Sequence, residues 1–324
     1  MTKAVRVHAY GGPEVLSWDE VPTPAPSARE VLIRQEAIGL NFIDVYYRTG
    51  LYKLPALPSV IGMEGAGVVA QVGGDVTTLS VGDRVAYPSK LGAYANHRTI
   101  DADQVVKLPD AIDTRTAAAI MLRGLTVQYL LRQVRVLAAG DTILVHAAAG
   151  GVGLMLCQWA AHLGATVIGI VSTEAKAALA RAHGAAHVLI GLDDLPQKVR
   201  KLTGGAMVPV VYDSVGKDSF MASLDCLAPR GLMVSYGNAS GEVTGVSLSL
   251  LAARGSLSVT RPKLMSFIAK REELESASRE LFDVVASGAL KIEIGQSFAL
   301  SEAGRAHQAL ESRATTGSTI LIPD

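Results

Sequence analysis

The sequence predicts an α/β protein in which an irregular antiparallel β region is followed by a parallel sheet covered by helices. In the first third, short segments rich in β-branched residues are separated by Gly and Pro, a pattern typical of antiparallel strands. From about Leu108 onward, apolar runs alternate with helical patterns, which favours a parallel sheet buried on both faces. The length of 324 residues favours two domains.

Individual elements follow from these patterns. The strands of the first region are predicted at residues 4–9, 30–38, 67–72 and 83–87. In the second region, strands are predicted at 142–147, 166–171, 188–190, 209–212 and 232–236, with helices at 152–163 and 175–182. The tail is predicted to hold helices at 272–287 and 301–310, an extended segment at 298–300 and a last strand at 318–322.

Charge and cysteine content exclude several classes of protein. Lys plus Arg and Asp plus Glu both number 30, so a net charge of zero gives no reason to expect a nucleic-acid or membrane partner. The two cysteines, Cys157 and Cys226, are too few for a disulfide framework or a four-cysteine metal site. The N-terminus lacks the apolar core of a signal peptide. We therefore expect a cytoplasmic protein with reduced, buried thiols.

A glycine-rich turn, Ala147 to Gly153 (AAAGGVG), lies between a predicted buried strand and an apolar helix. Glycines let the backbone turn tightly and approach a pyrophosphate, and the start of the helix offers free N–H groups to the phosphates. Gly150 and Gly153 carry the spacing of a dinucleotide fingerprint, with Gly151 and Val152 between them. The turn predicts a nicotinamide cofactor, and the alternative is a tight turn without a ligand.

The next strand tip bears on the choice between NADPH and NADH. An NAD site places an acidic residue about 20 residues after the glycines, but here the tip reads Ser172-Thr173. Lys176 follows in the first turn of the next helix, and a hydroxyl with a lysine suits a 2′-phosphate. This favours NADPH, unless Lys176 is an ordinary solvated lysine.

Several segments along the whole chain carry a family resemblance. They include HAYGGPEVL (8–16), GLNFIDVYYRTGLY (39–52), GMEGAGVV (62–69), LRGLTVQYLL (122–131), HAAAGGVGL (146–154), VVYDSVG (210–216) and ALESRATTGS (309–318). Together they make the chain resemble the bacterial, zeta-crystallin-like NADPH:quinone oxidoreductases, zinc-free members of the medium-chain dehydrogenase/reductase superfamily.

This resemblance implies a fold and a domain division. A GroES-like β domain is expected from residues 1–124, completed by 262–324, with a Rossmann domain of doubly wound parallel sheet at 125–261. The substrate cleft is expected between the domains. Relatives pair through an edge of the nucleotide-binding sheet, so a homodimer is also expected.

The resemblance also implies site residues. Contacts on the nicotinamide side are expected from Asn41, Phe42, Ile43, Asp44, Tyr46, Thr126 and Tyr129. Phosphate and adenosine contacts are expected from Gly150, Gly151, Val152, Gly153, Ser172, Thr173, Lys176 and Arg313. Ser214, Gly216 and Asn238 are expected at later strand ends, along the ligand crevice of such a fold. Gly191 stands where some relatives carry a tyrosine beside the adenosine phosphate, which weakens the preference for NADPH.

The zinc chemistry of related alcohol dehydrogenases lacks its ligands here. No cysteine precedes Cys157, and Met63 stands where those enzymes have the histidine of a Gly-His-Glu triplet. None of the seven histidines shows ligand spacing, so all are interpreted as structural or surface residues. Without a Lewis acid, a quinone or an activated enone is the favoured substrate, because its own conjugation accepts a hydride.

The catalytic candidates are therefore groups that would hold and polarise such an acceptor. Asn41, Tyr46 and Tyr52 are candidate donors to its developing oxyanion, with Asp44 orienting them. Simple packing is the alternative role for the two tyrosines. We expect NADPH-dependent, flavin-free quinone reduction. The alternatives are an NADPH-dependent reductase of α,β-unsaturated carbonyls and a cofactor-binding protein with little catalysis.

Overall fold

The computed structural model describes residues 1–88, 90–312 and 315–324. The chain divides into two units. Unit 1 comprises Met1–Leu125, Ile268–Gly288 and Ile292–Asp324, and unit 2 comprises Thr126–Phe267 and Ala289–Lys291. The first unit is thus assembled from separate stretches of the chain, whereas the second is almost continuous.

The strands follow one another in chain order. They are β1 (Thr2–Val7), β2 (Leu16–Val21), β3 (Glu30–Leu40), β4 (Ser59–Val60), β5 (Glu64–Val72), β6 (Arg84–Tyr87), β7 (His97–Asp101), β8 (Val106–Lys107), β9 (Thr142–His146), β10 (Thr166–Val171), β11 (His187–Ile190), β12 (Val208–Asp213), β13 (Leu227–Ser235), β14 (Ser258–Thr260), β15 (Ile294–Ala299) and β16 (Ser318–Ile322).

The helices lie between them. They are α1 (Phe42–Thr49), α2 (Thr114–Tyr129), α3 (Gly151–His162), α4 (Glu174–Ala182), α5 (Leu195–Leu202), α6 (Phe220–Asp225), α7 (Leu248–Ala253), α8 (Arg271–Ala286) and α9 (Ala303–Glu311). A π-helical turn, Leu130–Val134, extends α2. Across the described ranges, no helix combines the length and the apolar character that a membrane span requires.

Unit 1 is built on a largely antiparallel sheet. Its order is β15-β16-β3-β5-β6-β8, with β7 pairing along β3, and only β15 and β16 run parallel. The apolar side chains of β3 and β5 alternate into a core with Ile61, Tyr94 and Leu321, because side chains of a strand alternate between its two faces. Strand β16 is an inner strand of this sheet, between β15 and β3. The prediction of an antiparallel β region is confirmed.

Unit 2 is a doubly wound sheet. Its order is β11-β10-β9-β12-β13-β14, and every neighbouring pair is parallel. The chain runs outward from β9 to β11 and then returns to β12 on the other side of β9, so a topological switch point lies between β9 and β12. Ligands of such sheets bind beyond the carboxyl ends of the strands at this point. The α/β prediction with a Rossmann sheet is confirmed.

Candidate active site

The turn after β9 leads directly into α3. Ala147 has a left-handed backbone (φ 50°), and Gly150 is the N-cap of the helix in an extended conformation. Because Gly150 has no side chain, it offers no capping group to the N–H groups of the first turn. Those N–H groups, from Gly151 to Gly153, are the kind of anion site that the sequence predicted.

Close packing explains the glycine at position 153. A Cβ there would lie 2.2 Å from Ala147 O and 2.8 Å from Ala148 Cα, both backbone atoms. At Gly150, a Cβ would meet only Ala147 O, at 3.2 Å. Gly153 therefore lets α3 pack on the turn, while Gly150 leaves the approach to the helix open.

The tip of β10 holds the second group of predicted cofactor residues. Ser172 and Thr173 are exposed, and Lys176 is half-buried in the first turn of α4. Thr173 is the N-cap, and its Oγ1 accepts a hydrogen bond from Lys176 N at 3.3 Å. Gly191 follows β11 at φ 73° and donates its N–H to Val171 O at 2.9 Å.

The ends of β12 and β13 bring the third group together. Gly216 has φ 94°, and a Cβ there would lie 2.6 Å from Gly241 O and 3.2 Å from Asn238 Cα. A Cβ at Gly237 would likewise lie 2.3 Å from Ser214 O. Ser214, Gly216 and Asn238 thus lie on two loops in close contact at the same edge of the sheet.

Asp213, the last residue of β12, anchors the loop that follows. Its buried carboxylate accepts from the backbone N–H of Val215 and Gly216 at 2.7 and 3.1 Å, and from the hydroxyls of Ser219 and Ser223 at 2.7 and 2.9 Å. Four donors satisfy the buried charge. No periodicity in the sequence pointed to this network.

The last residue of β9 joins the same network. His146 Nε2 lies 2.8 Å from Ser223 Oγ, and burial lowers the pKa of this histidine. Because His146 directly precedes the glycine turn, the two loops at the switch point are connected through buried hydrogen bonds. The interpretation of His146 as structural agrees with this placement.

In unit 1, α1 begins at a buried polar pair. Asn41 is the N-cap residue, and its backbone N–H donates to Asp44 Oδ2 at 2.8 Å. The Asp44 carboxyl is fully buried, and its other oxygen, Oδ1, has no hydrogen-bond partner within the described ranges. Burial raises the pKa of Asp44 to about 7, the neighbouring Glu64 carboxyl adds to the rise, and the hydrogen bonds that Asp44 accepts oppose it.

The buried Glu64 links Asn41 to a buried arginine. Asn41 Nδ2 donates to Glu64 Oε1 at 2.7 Å, Leu122 N donates to Oε2 at 2.6 Å, and Arg123 Nη1 lies 3.6 Å from Oε1. A Cβ at Gly39 would lie 2.2 Å from Oε1, so the neighbouring strand makes room for this carboxylate. Burial raises the pKa of Glu64 and lowers that of Arg123, so desolvation opposes the charge on both partners.

The remaining predicted residues belong to both units. Phe42 and Ile43 open α1 and are half-buried, and the rings of Tyr46 and Tyr52 meet edge to face at 5.4 Å. In unit 2, Thr126 and Tyr129 lie on the last turn of α2 and are buried, with the Tyr129 ring stacked on Phe267 at 4.5 Å. Arg313 lies outside the described residues.

The burial of Asp44 has a consequence for stability. An unfolded aspartate titrates near 3.8, whereas Asp44 titrates at about 7. Between these pH values the folded protein holds a proton on Asp44 that the unfolded chain releases. This difference in protonation adds to the free energy of unfolding. The contribution is complete below pH 3.8 and is lost as the pH rises through about 7.

We therefore expect the free energy of unfolding of the wild type to fall by about 3 kcal/mol more than that of Asp44→Asn between about pH 5 and about pH 8. Urea denaturation at both pH values measures this difference, and the variant serves as the control because its amide does not titrate. Parallel losses in the two proteins would contradict the assignment.

Among the described residues, no group of three or more His, Cys, Asp or Glu side chains is placed to hold a metal ion. Both cysteines are free thiols in the interior. Burial raises the pKa of each thiol to about 12. They are therefore unreactive side chains, as the sequence indicated.

Known proteins resemble this chain over its whole length. Residues 27–110 match the alcohol dehydrogenase GroES-like domain family and residues 151–283 match the zinc-binding dehydrogenase family. The quinone oxidoreductase of Pseudomonas aeruginosa is 55% identical over 325 residues, with 100% of both chains covered. The 2-haloacrylate reductase of a Burkholderia species is 43% identical over 331 residues, covering 100% of this chain and 99% of that protein. The crystal structure of Escherichia coli quinone oxidoreductase complexed with NADPH is 50% identical, covers 99% of this chain and 100% of that chain, and superposes with a TM-score of 0.97.

Proposed function

This chain belongs to the quinone oxidoreductase family of the medium-chain dehydrogenase/reductase superfamily, and from that premise we propose that it reduces quinones with NADPH. The observation that carries the proposal is the uncapped glycine turn Ala147–Gly153 at the switch point of a parallel sheet. Relatives named quinone oxidoreductase match this chain along its full length. The reaction we propose is a hydride transfer that needs neither zinc nor flavin.

The residues of unit 2 fit the dinucleotide. The N–H groups at the start of α3 suit a pyrophosphate, and the Ser172 hydroxyl with the Lys176 ammonium suits a 2′-phosphate. We propose that Thr173, Ser214, Gly216 and Asn238 complete the cofactor contacts at the other strand ends, and that Arg313 also contacts the phosphate. NADPH, when bound, supplies the hydride.

The residues of unit 1 suit the substrate side. We propose that Asn41, Tyr46 and Tyr52 donate hydrogen bonds to the oxygen on which charge develops, which lowers the barrier most where water is excluded. We propose that Phe42 and Ile43, and in unit 2 Thr126 and Tyr129, contact the nicotinamide side of the cofactor, as the family resemblance implies. The Asp44 carboxyl has no exposed surface, so its proposed role is to hold Asn41 rather than to touch the substrate.

The proposed substrate preference follows from the residues at the positions that hold the catalytic zinc in related alcohol dehydrogenases. With Met63 in place of a histidine and no cysteine before Cys157, a catalytic zinc has no ligand set there. A quinone needs no such Lewis acid, because reduction makes its ring aromatic. Orientation of the acceptor is then the main contribution of the protein.

One relative favours a second candidate activity. The 2-haloacrylate reductase, at 43% identity, is named for an α,β-unsaturated substrate. NADPH consumption with 1,4-naphthoquinone and with a 2-enal, at one enzyme concentration, separates the two activities. We expect faster turnover of the quinone. Reduction of the enal alone would overturn the proposal, and tight NADPH binding without turnover of either would indicate a cofactor-binding protein.

We expect Lys176→Ala to weaken NADPH binding about 10- to 100-fold and to leave NADH binding nearly unchanged, because a charged hydrogen bond to the 2′-phosphate contributes about 1.5–3 kcal/mol. Titration of both cofactors against the quenching of protein fluorescence measures this. Lys201→Ala, at an exposed lysine of α5 in the same unit, is the matched control. Equal loss of NADPH and NADH would show that Lys176 does not contact the phosphate.

We further propose a cytoplasmic homodimer. Both cysteines are free thiols, which suits a reducing compartment. Strand β14 is the last strand of its sheet, Val259 on it is 39% exposed, and Leu248 on α7 is 81% exposed. An apolar edge of this kind favours pairing with a second copy, which sedimentation measures. Residues 1–124 with 262–324 would form the catalytic domain and 125–261 the cofactor domain.

A further inference from the structure

A chain of buried hydrogen bonds ends on the carboxyl that caps α1. Tyr94 Oη lies 3.3 Å from Asp44 Oδ2 and 3.0 Å from His307 Nε2. On the far side of the ring, His307 Nδ1 lies 3.0 Å from Arg48 Nη1. Arg48 is held by Glu311, whose two oxygens lie 2.7 and 2.8 Å from its guanidinium nitrogens.

The chemistry of the side chains determines the donor and the acceptor of every hydrogen bond in this series. A guanidinium has only donors, so Arg48 donates and His307 Nδ1 accepts. Burial beside Arg48 lowers the pKa of His307 to about 3, so the neutral ring carries its proton on Nε2. That N–H donates to Tyr94 Oη, which leaves the Tyr94 hydroxyl proton for Asp44 Oδ2.

The members come from distant parts of unit 1. Asp44 and Arg48 lie on α1, Tyr94 precedes β7, and His307 lies on α9, 213 residues from Tyr94. The side chains of Asp44, Arg48, Tyr94 and His307 are at most 1% exposed, so no solvent replaces a lost partner. Buried polar groups must be satisfied, so each member restricts the position of the next.

The last of these hydrogen bonds restrains Asn41, the N-cap residue of α1. Asp44 Oδ2 accepts from Tyr94 and from the backbone N–H of Asn41. Its other oxygen has no hydrogen-bond partner within the described ranges, so the hydrogen bonds that orient the carboxyl are these two. The side chain of Asn41 then donates to Glu64, which fixes its amide.

We propose that Tyr94, His307 and Arg48 are positioning residues, which hold Asp44 and through it the substrate-side amide of Asn41 in the orientation that the reaction requires. This inference rests on the proposed function, because it assigns Asn41 its role there. A reacting group displaced by about 1 Å can lose about 100-fold in rate, so one hydroxyl far from the substrate can affect turnover.

Tyr94→Phe tests the proposal, because it removes one hydroxyl and keeps the ring that packs on His307. Tyr87→Phe is the matched control. Tyr87 is equally buried in unit 1, and its hydroxyl donates to Gln35 Oε1, which is not part of this series of hydrogen bonds. We expect Tyr94→Phe to lower kcat for 1,4-naphthoquinone about tenfold or more with KM for NADPH within about threefold, and Tyr87→Phe to leave both within about twofold.

A second readout needs neither substrate nor cofactor. Hydrogen exchange of the cofactor-free protein, followed for residues 41–49, is expected to accelerate about tenfold in Tyr94→Phe and to stay unchanged in Tyr87→Phe, since a bond of about 1.4 kcal/mol corresponds to a factor of about ten. Equal exchange in the two variants would overturn the inference even if the wild type reduces quinones. A wild type that reduces no quinone would overturn the proposed function, and the exchange result would still decide the inference.

A variant at Asp44 tests whether Tyr94 acts through this carboxyl. Asp44→Leu removes the acceptor of both hydrogen bonds, so we expect it to lose at least as much kcat as Tyr94→Phe. In the Asp44→Leu background, Tyr94→Phe is expected to add less than about twofold, because the bond it would break is already absent. Losses of kcat that multiply in the double variant would contradict the proposed coupling between Tyr94 and Asp44. If Tyr94→Phe folds poorly, Asp44→Leu alone tests whether loss of the acceptor lowers kcat.

Discussion

The Gly153→Val variant is expected to lose NADPH binding by at least about 100-fold and to unfold at a lower urea concentration than the wild type. The new Cβ would lie 2.2 Å from Ala147 O and 2.8 Å from Ala148 Cα, and neither backbone atom can withdraw without opening the turn between β9 and α3. Steric conflict with fixed backbone belongs to the mechanisms that cost several kcal/mol. Fluorescence titration with NADPH and urea denaturation measure the two effects.

Gly150→Ala separates folding from binding at the same turn. Its Cβ would meet one atom at 3.2 Å, and the extended backbone of Gly150 suits an alanine, so we expect urea stability close to wild type. The methyl group nevertheless stands where a pyrophosphate would approach, so NADPH binding should weaken. Gly74→Ala, whose Cβ would meet nothing within 4 Å, controls for the substitution itself. Unchanged NADPH binding in Gly153→Val would contradict the placement of the cofactor at this turn.

The Glu64→Ala variant is expected to lose about 3–5 kcal/mol of the free energy of unfolding, the usual cost of leaving one partner of a buried ion pair uncompensated. Arg123 would keep its charge in the interior without its ion-pair partner. The amide of Asn41 and the N–H of Leu122 would also lose their acceptor. Chemical denaturation at neutral pH measures the loss.

Two further variants interpret that result. Glu64→Gln keeps an acceptor oxygen and should lose less than Glu64→Ala, which separates the hydrogen bonds from the charge. Glu20→Ala breaks an exposed pair with Lys3, 3.4 Å apart, and should cost no more than about 1 kcal/mol. If Glu64→Ala were no more costly than Glu20→Ala, the buried cluster would not be a structural centre of unit 1.

The sequence predicted the elements whose hydrophobic periodicity is visible over a short stretch of neighbouring residues. The strand at 142–147, the glycine turn and the following helix succeed one another without interruption, and their periodicities differ clearly. The structure places the corresponding elements at Thr142–His146 and Gly151–His162. Helix α2 was not predicted, because most of its side chains are buried and it therefore lacks the polar face that marks an amphipathic helix.

The candidate site was predicted unevenly for a related reason. The dinucleotide residues follow strand ends, so a local pattern locates them. The buried network of Glu64, Arg123, Tyr94 and His307 depends on pairs far apart in the chain, and none of these residues has a neighbour in sequence that signals its partner. A buried charge is recognised only when the fold shows what surrounds it. Glu64 lies in the segment GMEGAGVV (62–69), but there it is only the residue after Met63, which stands in place of a zinc-binding histidine.

The position of β16 in the sheet of unit 1 has a consequence for folding during synthesis on the ribosome. This strand lies between β15 and β3, and β3 with the strands on its other side is synthesised much earlier. Unit 2 is nearly continuous, so it can acquire its structure while the peptide is still growing. Until residues 318–322 emerge, the end of β3 at Ile38–Leu40 lacks the partner that β16 provides. During that interval the nascent chain exposes an apolar strand end, the kind of surface that chaperones shield.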